Sequence, residues 1–547
     1  MLKSWLKKEL AGKFTEVEFD ILIPPDSKLG DYSTNIAFAL AKKEGKSPME
    51  VGKSLAEEFL NNKDLTDKFE KIDLVSPGFI NFTLKDEFLH QTLGKILEEK
   101  EKFGDLQLGK DPSTGSGQAI NLEFVSANPT GPPTLPNARA ASYGDTLGNI
   151  LKKAGFKVSK EYYINDVGVQ VGKLAQSIKL RMQELKGENV EFGQGLYRGE
   201  YIKDIAREFI EKNIPEALLR EEAIKIMVGK AKEVMQSLGV EFDEWFPESR
   251  LHESGEVKTV FKELESKGCV VEEDGAKWLK VNDDQKAVLI KKDGSTTYLM
   301  NDIAYTKNKF ERGFDKAINV WGTDHHGDVP RLKAGVAALG HDPAKLEILL
   351  HQLVMLKKKD PSTGSGQVLK ISKRAGNLVL LEDLIKDVGK DAVRFFFLTK
   401  DLNTHMEFDV ELAKEQSKKN PVYYIQYAFA RLNSIFEKAG NMEQGAGNMG
   451  LLKEKEEIQL MRTMAKLPDI IEGIARDYQV HHLGNYASTL ANQFHQFYEK
   501  HRVIQPASPA GGDDKELQKS RLALAQAVHM ILKNSLDLMG LSTPTRM

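Results

Sequence analysis

Lys370-Ile371-Ser372-Lys373-Arg374, followed by Ala375-Gly376-Asn377, gathers cations around one serine in a short segment next to a turn-forming glycine. A compact cationic loop of this kind suits a polyphosphate whose charge builds during phosphoryl or nucleotidyl transfer. Far upstream, Glu123-Phe-Val-Ser-Ala-Asn-Pro-Thr-Gly-Pro-Pro133 reads as a strand that turns sharply into a helix. Backbone N–H groups at a helix N-terminus form a natural phosphate site. Pro129-Thr130-Gly131-Pro132 alone reads more readily as a plain strand-to-helix turn; a charged loop facing it across a sheet edge strengthens the phosphate reading. A third block, Trp321-Gly-Thr-Asp-His-His-Gly-Asp328, follows an apolar strand. Zinc is its obvious alternative, but adjacent histidines after a strand point to opposite sides and no cysteine pair completes a tetrahedron. Active-site lining is the preferred reading, with no dedicated metal site.

These pieces need a scaffold. Strand Ala119–Val125, a helix around Asn137–Ala154, strand Lys160–Ile164, strand Lys316–Trp321 and a helix near Pro330–Leu339 alternate as βαβ units do. Such alternation implies a Rossmann-type parallel sheet with helices on both faces. Charged helices and an Asp/Gly-rich hairpin over about 175–285 read as an insertion into it. Ahead lies a small α+β unit, in which Gly30–Asn35 caps a helix through Lys43 and Leu74–Thr83 alternates like a strand after a turn. From about Phe395 the pattern is almost wholly helical, an all-α bundle. The expected division is 1–106, 107–394 and 395–547. Lys110-Asp-Pro-Ser-Thr-Gly-Ser-Gly-Gln118 recurs letter for letter at Lys359–Gln367; its Ser/Gly content suits a flexible inserted linker.

The chain's 547 residues exceed one ordinary core, so a multidomain α/β protein is expected. Its single cysteine excludes a disulfide framework, and no apolar run is long enough to cross a bilayer. Met1–Leu10 reads as an amphipathic helix without a signal-peptide core, so a cytoplasmic location is expected. A formal net charge of only −3 means that any nucleic acid must be held by local patches.

On these blocks the chain resembles the class I aminoacyl-tRNA synthetases, and within them the bacterial-type arginyl-tRNA synthetases. Lys370–Arg374 is similar to the family's KMSKR loop, with Ile371 for Met, and Glu123–Pro132 to the lead-in of its HIGH block. Thr297-Tyr-Leu-Met-Asn-Asp-Ile-Ala-Tyr305 resembles its arginine-pocket stretch. Asn420–Ala428 with Ala430-Arg431 resembles the opening of its anticodon-binding helices. Gly30–Asn35, Pro77–Phe82 and the terminal Arg546-Met547 extend the likeness nearly end to end. One block departs: Thr134-Leu135-Pro136-Asn137 stands where the family has His-x-Gly-His. Thr134 and Asn137 can still donate hydrogen bonds, but neutral ones, weaker than charge-assisted ones. Pro136 is tolerable only in a helix's first turn.

The resemblance implies ATP-dependent attachment of L-arginine to tRNA(Arg) through an arginyl-adenylate, with Mg2+ accompanying ATP and the enzyme acting as a monomer. It implies catalytic roles for Lys370, Ser372 and Lys373. It implies ATP contacts at Pro129, Thr130, Gly131, Thr134, Asn137, Gly322, Asp324 and His325. Glu123, Asn128, Tyr298 and Asp302 would hold arginine. Tyr424, Tyr427, Arg431 and Met547 would meet tRNA, unpaired bases stacking on rings. At helical spacing at least half of Tyr423, Tyr424 and Tyr427 are expected in the core, and His481-His482 and Phe494-His495 on ordinary helix faces. Two other functions compete: a catalytically impaired tRNA-binding paralogue with a regulatory role, suggested by the altered block, and a ligase that passes arginine to another acceptor.

Overall fold

The computed structural model describes residues 2–24, 26–110, 115, 117–282, 284–359, 366–369, 379–440, 447–504 and 512–547. Lys370, Ser372 and Lys373 lie outside the described residues, as do most interior residues of both Lys-Asp-Pro-Ser-Thr-Gly-Ser-Gly-Gln copies.

At the centre is an all-parallel sheet of five strands, in the spatial order Leu346–His351, Lys316–Gly322, Ala119–Phe124, Lys157–Ile164, Glu244–Pro247. The first strand in sequence is the middle one, with later strands added on both sides. Its helix and the chain returning to Lys316–Gly322 therefore leave in opposite directions and open a crevice at the strands' carboxyl ends. Apolar residues such as Leu122, Phe124, Ile318 and Val320 are buried in these strands, and so are the polar Asn121, Glu123, Glu161 and Asn319.

The helix Leu135–Lys153 packs directly on the central strand. A Cβ on Gly144 would lie 2.3 Å from the Phe124 ring, so only glycine permits this approach. Behind it, Asp145 holds two buried cations, Lys160 Nζ at 2.6 Å and Arg394 Nη2 at 2.5 Å. Arg394 also donates to the carbonyls of Leu238, Gly239 and Met539, tying the helix to the end of the C-terminal bundle. Buried ions are costly unless paired and hydrogen-bonded, as these are.

Two expectations are corrected. The stretch 175–285 is not one insertion, because Glu244–Pro247 within it is an edge strand of the parallel sheet, anchored by fully buried Phe246. Helices Val169–Leu185, Glu200–Glu211 and Leu219–Ser237 precede that strand, and an antiparallel sheet of Val270–Glu273, Ala276–Lys280 and Lys286–Ile290 follows it. The region after Phe395 also contains a strand, Met406–Asp409, parallel to Val354–Lys359. It is followed by helices that include Pro421–Ala439, Lys455–Ala465, His481–Lys500 and Gly512–Leu538.

In the N-terminal unit, Ile21–Leu22, Tyr32–Thr34, Phe79–Leu84 and Phe69–Val75 form an antiparallel sheet. Asn35 precedes the helix Ile36–Glu44, but its side chain accepts the Asp20 N–H at 2.7 Å and does not cap the helix. Tyr32 donates to the buried Asp469 at 2.6 Å and Asp31 faces Arg462 and Lys466, which join this unit to the bundle. In both repeat copies the first residue pairs antiparallel with the eighth, Lys110 with Gly117 and Lys359 with Gly366. Each copy's described ends are thus the two sides of a hairpin.

Candidate active site

A cavity of about 760 Å³ occupies the crevice at the carboxyl ends of the parallel strands. Its walls come from the turn after Phe124, the starts of the helices Leu135–Lys153 and Tyr298–Glu311, the end of the strand Lys316–Gly322, and Trp278 of the antiparallel insertion.

The turn is strained. Val125 and Ser126 have φ of 70° and 38°, in the left-handed region that a β-branched residue rarely enters. Such backbone costs on the order of 1–3 kcal/mol per residue and persists only where surroundings over-determine it. Ser126 Oγ donates to Glu123 Oε1 at 2.9 Å and accepts the Tyr163 N–H at 3.1 Å. The Tyr162 hydroxyl accepts from Ala127 N at 3.2 Å and donates to its carbonyl at 3.1 Å. The result aims Glu123 and Asn128 into the cavity.

Across from it, Thr297 Oγ1 caps the helix Tyr298–Glu311 by accepting the Met300 N–H. Tyr298 and Asp302, four residues apart, share one face and both line the cavity. Continuing that face, fully buried Lys309 donates to Glu123 Oε2 at 2.6 Å and to Asn319 on the neighbouring strand at 2.8 Å. Asp302 has no ion-pair partner among the described residues, since Lys309 is engaged by Glu123. Burial, reinforced by the carboxylates of Glu123 and Glu248, holds its pKa well above the ordinary aspartate value. Glu248 is itself pushed up to about 7, by burial and then by Asp166, against its hydrogen bond from Asn301. A carboxylate that no described cation pairs with, in a cluster with Glu123 and Glu248, is matched to a cationic ligand.

The residues expected at the nucleotide end divide. Asn137, Gly322, Asp324 and His325 line the cavity; Pro129, Thr130, Gly131 and Thr134 do not. Thr130 is buried and its carbonyl accepts the Tyr201 hydroxyl at 2.7 Å, with that hydroxyl set against Gly131. Thr134 is buried as the N-cap of Leu135–Lys153: its N–H and hydroxyl both donate to Asn137 Oδ1, at 2.8 and 3.0 Å. Helix starts and phosphate sites use the same polar side chains, and here the Thr134 hydroxyl is engaged by Asn137. The altered block therefore forms an intact helix start.

In the bundle, Tyr424 and Tyr427 face His495 with ring centroids at 4.2 and 5.7 Å. Arg431 lies over Tyr427 and Tyr498, and its Nη2 donates to the Tyr427 hydroxyl at 2.6 Å. Neither Tyr423, Tyr424 nor Tyr427 is fully buried, contrary to the expected core share, and His495 is not a helix-face residue but sits at 2% exposure inside this stack. Met547 is half exposed, next to Arg546, which faces Glu437 at 3.4 Å.

Gln170, Arg331, Trp278 and His351 are among the cavity residues that were not singled out in the sequence. Gln170 accepts from Asn128 at 3.0 Å and also hydrogen-bonds Tyr298. Arg331, Trp278 and His351 line other walls. Only the Pro330–Leu339 helix gave a sequence signal, for Arg331; the others are single side chains brought in by long-range packing.

Comparison with known proteins supplies the context. The model for tRNA synthetases class I (R), catalytic domain, matches residues 103–415, that for the arginyl tRNA synthetase N terminal domain matches 1–84, and that for the DALR anticodon binding domain matches 425–547. The arginine–tRNA ligase of Thermotoga petrophila is 40% identical over 549 residues, covering 97% of this chain and 96% of that protein. The arginine–tRNA ligase of Bacillus subtilis is 40% identical over 571 residues, covering 100% of this chain and 99% of that one. Thermus thermophilus arginyl-tRNA synthetase shares the fold, with a TM-score of 0.74 over 100% of both chains at 21% identity.

Proposed function

The chain belongs to the class I arginyl-tRNA synthetases, and from this we infer that the cavity above the parallel sheet is where arginine and ATP react. The enzyme attaches L-arginine to tRNA with ATP as substrate. What carries the assignment to this cavity is Asp302: a half-buried carboxylate with no ion pair among the described residues, beside Glu123, Asn128 and Tyr298, in a space about 760 Å³ in volume.

In the proposed chemistry, a carboxylate oxygen of arginine attacks the α-phosphorus of ATP in line. The bond to the bridging oxygen breaks and pyrophosphate leaves, giving arginyl-adenylate. A 3′-terminal ribose hydroxyl of the tRNA then attacks the acyl carbon, AMP leaves, and the hydroxyl proton passes to solvent. Neither step requires a protein general base; positioning and charge stabilisation supply the rate. Asp302 would receive the guanidinium, whose planar fork suits a carboxylate bidentately. Tyr298 would pack along the side chain, while Glu123 and Asn128 hold the remainder of the amino acid. Glu123 keeps lone pairs for this although Ser126 and Lys309 already donate to it.

Asn137, Gly322, Asp324 and His325 are proposed to meet ATP, with the backbone of Pro129–Gly131 contributing through the turn it shapes. Mg2+ would enter with ATP as the counter-ion of its phosphates. Lys370 and Lys373, with Ser372 fixing their loop, are proposed on the sequence alone to stabilise the departing pyrophosphate. Tyr424, Tyr427 and Arg431, with Met547, are proposed to stack on unpaired tRNA bases. The proposed division is 1–106 for an additional tRNA-binding unit, 107–394 for catalysis and 395–547 for anticodon binding. No described helix is long and apolar enough to cross a membrane, and a cytoplasmic monomer is proposed.

ATP–pyrophosphate exchange tests this reading. Exchange is expected only when arginine is present, and to require tRNA as well. No exchange under either condition, together with tight tRNA binding, would instead indicate a regulatory tRNA-binding protein.

A further inference from the structure

We propose that His351 is a further nucleotide contact, its Nε2–H donating to an oxygen of the ATP ribose-phosphate in place of hydrogen bonds that Thr134–Asn137 does not supply. The proposal rests on the reading of the cavity as the site of arginine activation.

His351 ends the edge strand Leu346–His351 and is paired in register with Gly322, which ends the next strand. Both residues line the cavity together with Asn137, Asp324 and His325. Gly322 leaves the His351 ring uncovered: a Cβ there would stand 3.9 Å from Nε2 and only 2.4 Å from Asp324 Oδ1. A core histidine with no function is normally satisfied at both nitrogens, whereas Nδ1 here is buried without a well-formed hydrogen bond among the described residues, although the Gln352 backbone acts on the ring. The tautomer that carries its proton on Nε2 leaves only a lone pair unpartnered at Nδ1, less costly than an orphaned N–H.

Behind the ring lies Arg139, a fully buried cation whose Nη1 and Nη2 donate to the carbonyls of Gln352 at 3.0 Å and Asp401 at 2.8 Å. It has no ion pair among the described residues, although the Asp401 carboxylate acts on it from nearby. Burial, and then the Arg139 charge, push the imidazole down to about 4. The ring is therefore a neutral donor at physiological pH, with Arg139 and His325 on one side of the charge balance and the Asp324 carboxylate on the other, near the N-terminus of Leu135–Lys153, where a phosphate is favoured. The altered block presents Asn137 alone to the cavity, and an anionic substrate still needs donors.

The test compares His351→Ala, His351→Phe, which keeps the ring volume without a donor, and His351→Gln, which keeps one. Pyrophosphate exchange with saturating tRNA gives KM for ATP and for arginine, and equilibrium dialysis with labelled ATP gives affinity directly. Ala and Phe are expected to weaken ATP about tenfold or more, the value of one net hydrogen bond to a charged group, with arginine KM within about twofold and Gln near wild type. Phe matching wild type, or arginine and ATP constants rising together, would overturn the proposal. Should the Ala variant fail to fold, the comparison of Phe with Gln decides alone. Absence of exchange in the wild-type chain would reject the reading of the cavity, while dialysis would still report on His351.

Discussion

Asp302→Asn is expected to lower kcat/KM for arginine by about a hundredfold or more while leaving the ATP constant within about twofold. The amide keeps the shape but offers the guanidinium one neutral acceptor in place of a carboxylate, and a buried cation without a counter-ion is strongly disfavoured. Steady-state exchange kinetics with each substrate varied in turn would check it; a variant within about threefold of wild type would remove Asp302 from the pocket. The pH dependence has a definite sign. Because burial and neighbouring carboxylates raise the Asp302 pKa well above its ordinary value, arginine KM should rise as pH falls through that raised value, where the carboxylate protonates. Without arginine, the folded chain retains a proton that the unfolded chain releases, so stability falls as pH climbs from the unfolded pKa to the folded one. Arginine binding lowers that pKa, so its stabilisation of the fold should grow with pH over the same window.

Lys309→Met is the second large effect expected, and it falls on stability. Met replaces the four-atom stem of the side chain but leaves Glu123 buried, at 4% exposure, without its cation, and removes the donor to Asn319. Breaking one side of a buried pair costs about 3–5 kcal/mol. The ammonium also sits 4.2 Å from the centre of the Tyr305 ring, which that change would expose to a thioether instead. Chemical denaturation followed by fluorescence would measure the loss, and adding Glu123→Gln should recover much of it, since the uncompensated charge is gone. A loss under about 0.5 kcal/mol would show that the pair is not holding the helix against the sheet.

The parts of the site legible in the sequence were those carried by local pattern. Tyr298 and Asp302 lie four apart after a capping threonine, so helical geometry alone puts them on one face. Glu123 and Asn128 bracket a strand end and its turn, and the same parallel-sheet logic places that end at the crevice. What was not legible depends on partners distant in sequence. Lys309 reads as a surface lysine until Glu123, 186 residues away, is brought against it. His351 lies in an apolar run with nothing to mark the cavity beside it. A cap and a ligand demand the same hydroxyl, so the sequence alone does not separate the two roles at Thr134. The strand Glu244–Pro247 has only four residues between charged helices, too few for alternation to show, and the sheet rather than local propensity determines its conformation. His495 follows the same rule: the rings of Tyr424 and Tyr427, on another helix, pack against it.

Pyrophosphate exchange by the intact chain, with tRNA present and L-arginine run in parallel with L-citrulline, addresses the pocket most directly. The two amino acids share length and backbone and differ in charge at the side-chain end. Exchange with arginine and background turnover with citrulline is the expected result; equal exchange with both would contradict a cavity built around the Asp302 carboxylate.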